Sequence, residues 1–155
     1  NAVLQDGEGN IVVFGNSFSP DGNISYPKGS SDFWIITLNT SGELLSEHSF
    51  GGSSFDLGRG LAIGSNDDLW LAGYSRSNDG DVSLNQGDND MLVLRLSPDK
   101  IVLNSFSLGG LSVDLAHDII ELSSGKIIVV GETESVDGLF QGNHGNKDLV
   151  VVQYH

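Results

Sequence analysis

An all-β fold built from repeated four-stranded antiparallel sheets is what the sequence predicts, and three observations predict it. The first is a 58-residue internal repeat: residues 15–39 return as 73–97 and again as 131–155, without insertion or deletion. Six positions are identical in all three copies: Gly15/Gly73/Gly131, Ser19/Ser77/Ser135, Asp21/Asp79/Asp137, Gly22/Gly80/Gly138, Gly29/Gly87/Gly145 and Asp32/Asp90/Asp148. A fixed period of this size marks an architecture assembled from one supersecondary unit. The second observation is a succession of short apolar runs separated by Gly/Ser/Asn/Asp clusters, the pattern of short strands joined by turns. The third is that Ile11-Val12-Val13-Phe14, Leu69-Trp70-Leu71-Ala72 and Ile127-Ile128-Val129-Val130 do not alternate apolar with polar. A sheet with one wet face alternates; these runs want burial on both faces.

The elements follow in order within the middle copy. Residues 60–64 form a short first strand, and Ser65-Asn66-Asp67-Asp68 a turn. Residues 69–72 form the second strand, 75–89 a long polar loop and 91–96 the third strand. Ser97-Pro98-Asp99-Lys100 makes a second turn and residues 101–108 the fourth strand; Pro and Asp sit where type I turns favour them. The same order fits the flanking copies, with turns at Asp6-Gly7-Glu8-Gly9, Asn39-Thr40-Ser41-Gly42 and Ser123-Ser124-Gly125. Third strands place Trp34/Ile36/Leu38, Leu92/Leu94/Leu96 and Val150/Val152/Tyr154 on one face, with Phe33/Ile35, Met91/Val93 and Leu149/Val151 on the other.

A four-stranded meander buried on both faces and repeated end to end is a β-propeller blade. A β-solenoid is the alternative, but its coils are much shorter than this period. The expected organisation is a single repeat domain over 1–155, with blades at about 1–50, 51–108 and 109–155, the last lacking its outer strand. The chain holds about 2.7 repeats, and a ring needs at least about four blades. Further blades of the same polypeptide, or a homo-oligomeric partner, are therefore expected to close it. The faces awaiting them are expected to carry Val12, Phe14 and Trp34 at one end and Ile128, Val130 and Val150 at the other.

Composition narrows the function classes. Seven Lys plus Arg stand against 21 Asp plus Glu, a formal net charge of −14, which disfavours nucleic acids and anionic membranes as partners. No apolar run reaches the length that spans a bilayer. The absence of cysteine excludes disulfides, zinc–cysteine sites and thiol chemistry.

Three strings carry a resemblance: Gly51-Gly52-Ser53-Ser54-Phe55-Asp56, the run from Gly73-Tyr74-Ser75 through Asp79-Gly80-Asp81-Val82, and Gly142-Asn143-His144-Gly145 leading to Asp148-Leu149-Val150-Val151. Together they resemble the propeller-like repeats of secreted and surface proteins of Bacteroidetes-type bacteria, over essentially the whole chain. Asn23 and Leu139 depart from that pattern where the middle copy has Asp81, and Pro27-Lys28 departs where the third has Asn-His. The resemblance implies an extracellular or cell-surface, multi-repeat protein, and it supplies no catalytic residue.

The long loops hold the candidate site residues. Asp79, Asp81, Asn85 and Asp90, with their counterparts Asp21, Asn23 and Asp32 and Asp137, Asn143 and Asp148, form a dense set of oxygen ligands of the kind a calcium ion takes. The alternative is structural: Asp-Gly marks a turn and Asp32, Asp90 and Asp148 cap the backbone before each third strand. Gly51-Gly52 and Gly109-Gly110, with Asp56 and Asp114 following, turn the chain between blades. The repeat-breaking polar residues Arg59, His117, Glu132 and Glu134 are where propeller chemistry would gather, and Asp114 and Asp118 flank His117 in sequence. Tyr26, Tyr74 and Phe140 are the aromatics placed to stack on a sugar, Phe140 more as an apolar plug. No hydrolase elbow, metalloprotease helix or phosphate loop is present. The expected function is a non-enzymatic structural or interaction module binding surface protein or glycan. A glycan-acting enzyme or lectin, or a calcium-stabilised adhesin repeat, is the alternative.

Overall fold

Each repeat folds into one antiparallel meander, in a computed structural model that describes every residue except 20, 22, 23 and 155. The first sheet contains β1 (Ala2–Gln5), β2 (Ile11–Ser17), β3 (Asp32–Leu38) and β4 (Leu44–Phe50), paired in that order. The second repeats it with β5 (Asp56–Ile63), β6 (Leu69–Ser75), β7 (Asp90–Leu96) and β8 (Val102–Leu108). The third has β9 (Asp114–Glu121), β10 (Ile127–Thr133) and β11 (Asp148–Tyr154). The protein is therefore all-β among its described residues. The three sheets do not close into a ring.

The first strand of the middle copy begins at Asp56 rather than near residue 60. Its register shifts between Gly58 and Gly60, which leaves Arg59 as a bulge; β9 does the same at His117, between Ala116 and Asp118. Glycine and a bulge both weaken the strand pattern that a sequence displays.

Sheets stack face to face through two cores. Val12, Phe14, Phe33 and Ile35 from the first sheet meet Leu69, Leu71, Leu92, Leu94 and Leu96 from the second. The opposite face of the second sheet, with Trp70, Ala72, Met91 and Val93, meets Ile127 and Val129 of the third, backed by Val150 and Val152. The middle sheet is thus buried on both faces, as its unbroken apolar runs require. The outer sheets cover one face only, so β2 and β11 alternate in burial.

That arrangement corrects the expected end faces. Val12 and Phe14 are fully buried against the second sheet, and Val150 packs on the second core. The uncovered face of the first sheet carries half-buried Val13, Trp34 and Ile36; that of the third carries Ile128 and Val130 with exposed Leu149 (81%) and Val151 (63%). First strands of neighbouring sheets lie close together, β5 against β1 and β9 against β5, whereas β4 and β8 make no comparable approach. The sheets splay apart toward their last strands.

Candidate functional site

The most developed polar chemistry lies at the two seams between sheets. Asp56 and Asp114, at the starts of β5 and β9, are completely buried. Gly52 N–H (2.7 Å), Ser77 Oγ (2.8 Å) and Ser75 Oγ all donate to Asp56. Gly110 N–H (2.8 Å), Ser135 Oγ (2.8 Å) and Thr133 Oγ1 donate to Asp114 in the same way.

The long loop of the following sheet completes each joint. Ser77 and Ser135 accept from Ser54 and Ser112 N–H at 3.0 Å. Asp79 accepts from Ser53 N–H at 2.7 Å, and Asp137 from Leu111 N–H at 2.9 Å. From the other side, Asp56 N–H donates to Ser31 O (2.8 Å) and Asp114 N–H to Asn89 O (2.7 Å). Gly80 and Gly138 turn their loops at φ 65° and 56° directly beneath the Gly51 and Gly109 carbonyls, where a side chain would collide. Each linker is gripped by two sheets at once.

The oxygen-rich residues proposed from sequence fall into this scheme one by one. Asp81 accepts from Gly51 N–H at 3.0 Å and pairs with Lys28. Asn85 and Asn143 accept from Gly87 (3.0 Å) and Gly145 (2.9 Å) N–H, and donate to Ser75 O (3.0 Å) and Thr133 O (3.1 Å). Asp32, Asp90 and Asp148 accept from the backbone N–H four residues upstream, at Lys28 (2.7 Å), Gln86 (2.8 Å) and His144 (3.2 Å). Asp21 is exposed, and Asn23 lies outside the described residues, as do Gly22 and His155. No group of three His, Asp or Glu side chains placed to hold a metal ion is present among the described residues.

One convergence was not visible in the sequence. Asp32 and Asp56 come from different sheets, yet both face Gly51: a Cβ there would lie within 2.9 Å of Asp32 Oδ1 and of Asp56 Oδ2. At Gly109 it would lie 2.5 Å from Asp90 Oδ1 and 2.8 Å from Asp114 Oδ2. Asp32 Oδ1 and Asp90 Oδ1 are buried without a hydrogen-bond partner. Burial pushes the Asp56 and Asp90 carboxyls above the usual range against the pull of their donors, and the paired aspartate's charge adds to each rise. The recurrence of Asp32 and Asp90 at one repeat position, and of Asp56 and Asp114 at another, was the available signal.

The repeat-breaking residues form a second, exposed group. Arg59 and His117 occupy the same bulge in successive first strands, each beside its neighbour on the second strand. Arg59 donates to Tyr74 Oη at 3.2 Å and lies 5.6 Å from the ring centre. His117 Nε2 lies 3.7 Å from Glu132 Oε2, whose other oxygen accepts from Lys147 Nζ at 2.6 Å; Glu134 is 3.9 Å from the same Nζ. The Lys147 hydrogen bond and charge, helped by His117, hold Glu132 below the usual carboxylate range, so it favours ion pairing over proton donation. Asp114 does not join His117 in a relay, being committed to the seam; Asp118 accepts from Ile119 N–H at 2.9 Å. Tyr26 stands exposed, while Phe140 is buried in the second core as the plug its apolar counterpart Val82 forms in the first. No described helix is long and apolar enough to cross a membrane.

Comparison of the chain with family models and with curated proteins finds no match.

Proposed function

We propose that this chain is a segment of a β-propeller, serving outside the cell as a non-enzymatic scaffold and interaction module. One observation carries the reading: a single joint is built twice, and both ends of the stack hold half of it. Ser17 and Ser19 stand in the first sheet where Ser75 and Ser77 grip the linker in the second; Ser19 N–H donates to Ser17 Oγ at 3.3 Å, as Ser77 N–H does to Ser75 Oγ at 2.9 Å. Asp148 stands where Asp32 and Asp90 each meet a second aspartate. Further blades, from the same polypeptide or a second copy, would complete those half-joints and cover Trp34 at one end and Leu149 and Val151 at the other. First strands drawn together and last strands splayed apart suit a radial array. The extracellular setting rests on the resemblance of the repeat strings.

The test is the solution mass of the purified 155-residue chain by light scattering. We expect assemblies of at least two copies, because exposed apolar faces of this kind associate. A stable monomer at the chain mass of 16.4 kDa would overturn the reading.

A further inference from the structure

We infer that each seam binds one proton, held between two buried aspartates: Asp32 with Asp56 at the first joint, and Asp90 with Asp114 at the second. The argument begins with donors. Asp56 and Asp114 each receive three hydrogen bonds. Asp32 and Asp90 place one oxygen on backbone N–H groups, and their second oxygen, buried and without a donor, converges with an oxygen of the neighbouring carboxylate on the place a side chain would take at Gly51 or Gly109. Two bare anions in that position would leave an oxygen unpaired and repel each other in a low dielectric. One proton shared between the two carboxyls of each pair satisfies the orphan oxygen and removes one charge.

A metal ion suits the place poorly. N–H and O–H groups already point at the Asp56 and Asp114 oxygens, and calcium needs six to eight oxygens around it. The other charged groups around the first joint are Asp79, which accepts from the linker, and Asp81, which accepts from Gly51 and is neutralised by Lys28. Around the second are Asp137, on the linker, and Arg76, whose Nε donates to Asn89 Oδ1 at 3.2 Å beside Asp90. None supplies a proton or a hydrogen bond to the orphan oxygens.

A carboxyl whose pKa rises on folding binds its proton more tightly in the native state. Its contribution favours folding at acidic pH and fades as pH climbs from the ordinary carboxyl value, about 4, through the raised one. Asparagine at Asp32 and Asp90 puts a permanent amide donor where the proton would sit, with the amide oxygen kept on the upstream N–H. The experiment compares thermal melts at about pH 5 and about pH 8 for three proteins: the unaltered chain, Asp32→Asn/Asp90→Asn, and Glu8→Gln/Asp99→Asn. The last removes two exposed charges that do not touch the paired aspartates and so controls for net charge.

We expect the unaltered chain to lose about 3 °C per seam between the two pH values, beyond the general effect of its acidity. Asp32→Asn/Asp90→Asn should melt higher than the unaltered chain at the upper pH and lose that extra dependence, while the control keeps it. Equal pH dependence in the two double variants, or a seam variant that melts lower at the upper pH, would overturn the proposal. Carboxyl carbon NMR of the unaltered chain gives a second reading that needs no variant. Two aspartate resonances titrating above the ordinary aspartate range are expected, and every aspartate titrating within that range would overturn it.

Discussion

The two seams share their polar chemistry and differ in almost everything else. Both bury an aspartate under three donors, both face it with a second aspartate across a glycine, and both pin the linker from a downstream loop. Their cores are filled by different means. In the first, Phe14 lies under Gly58, where any Cβ would strike the ring, and meets Phe33 edge-on at 5.3 Å. In the second, Ala72 and Met91 take the places of those aromatics, and Ala116 that of Gly58. One large side chain over none has become two small ones.

The rims differ as well. The first seam carries the Lys28–Asp81 pair, where the second has Gln86 and Leu139. The second carries Trp70, whose Nε1 donates to Glu121 across the seam at 2.7 Å while Arg95 lies over its ring; the first has Val12 and Thr37 there, the Thr37 hydroxyl unpartnered. Apolar volume can be redistributed so long as the total is kept, whereas a buried polar group needs its partner in one geometry. This is why the residues identical in every copy are glycines, serines and aspartates rather than the core.

Three sets of substitutions test that contrast, the most damaging first. Asp56→Ala and Asp114→Ala each orphan three donors, so each should cost on the order of 5 kcal/mol in urea denaturation; markedly unequal losses would break the equivalence of the joints. Phe14→Ala should cost about 3 kcal/mol by emptying the first core. Adding Gly58→Ala to it recreates the Ala72/Ala116 arrangement and should restore about 1 kcal/mol, a coupling that a double-mutant cycle measures. If Gly58→Ala is equally harmful with and without Phe14, the exchange of volumes is not what relates the seams. Lys28→Gln imports the second seam's residue and removes a partly exposed ion pair. It should cost less than about 1 kcal/mol, with a loss that shrinks as salt is added; a larger, salt-independent loss would make the ion pair part of the joint itself.

Much of the architecture was legible because it is periodic. The repeat, the strand order and the two-sided burial of the second sheet follow from the spacing of Asp32, Asp90 and Asp148 and from runs such as Leu69-Trp70-Leu71-Ala72. Which way each strand faces was not legible, for the same reason: a run apolar at every position carries no alternation, so Val12 and Phe14 were assigned to the open end that Trp34 occupies instead. The bulge at Arg59 hid between two glycines of its first strand, and that at His117 beside the polar Asp118. The meeting of Asp32 with Asp56 was hidden by its geometry. Repeat identity reveals that a residue is needed at each copy, but not that its partner belongs to the next sheet. Asp79 and Asp137 read as Asp-Gly turn residues or as metal ligands, and the backbone N–H groups they accept from, at Ser53 and Leu111, lie across the seam where the sequence does not show them.

The direction of the linker grip has a consequence for how the chain leaves the ribosome. Ser31 holds the first linker from upstream through Asp56, but the loop side chains that close it lie downstream, the partners being separated by 19 to 30 residues: Ser75, Ser77, Asp79 and Asp81 secure Asp56, Ser53 and Gly51. The second linker waits in the same manner for Thr133, Ser135 and Asp137. A newly made sheet therefore emerges with its exit strap half tied, and the other half is fastened only when the loop of its successor has been synthesised. Translation would lay the stack down as a zipper running from N to C terminus, each tooth locked by the one that follows.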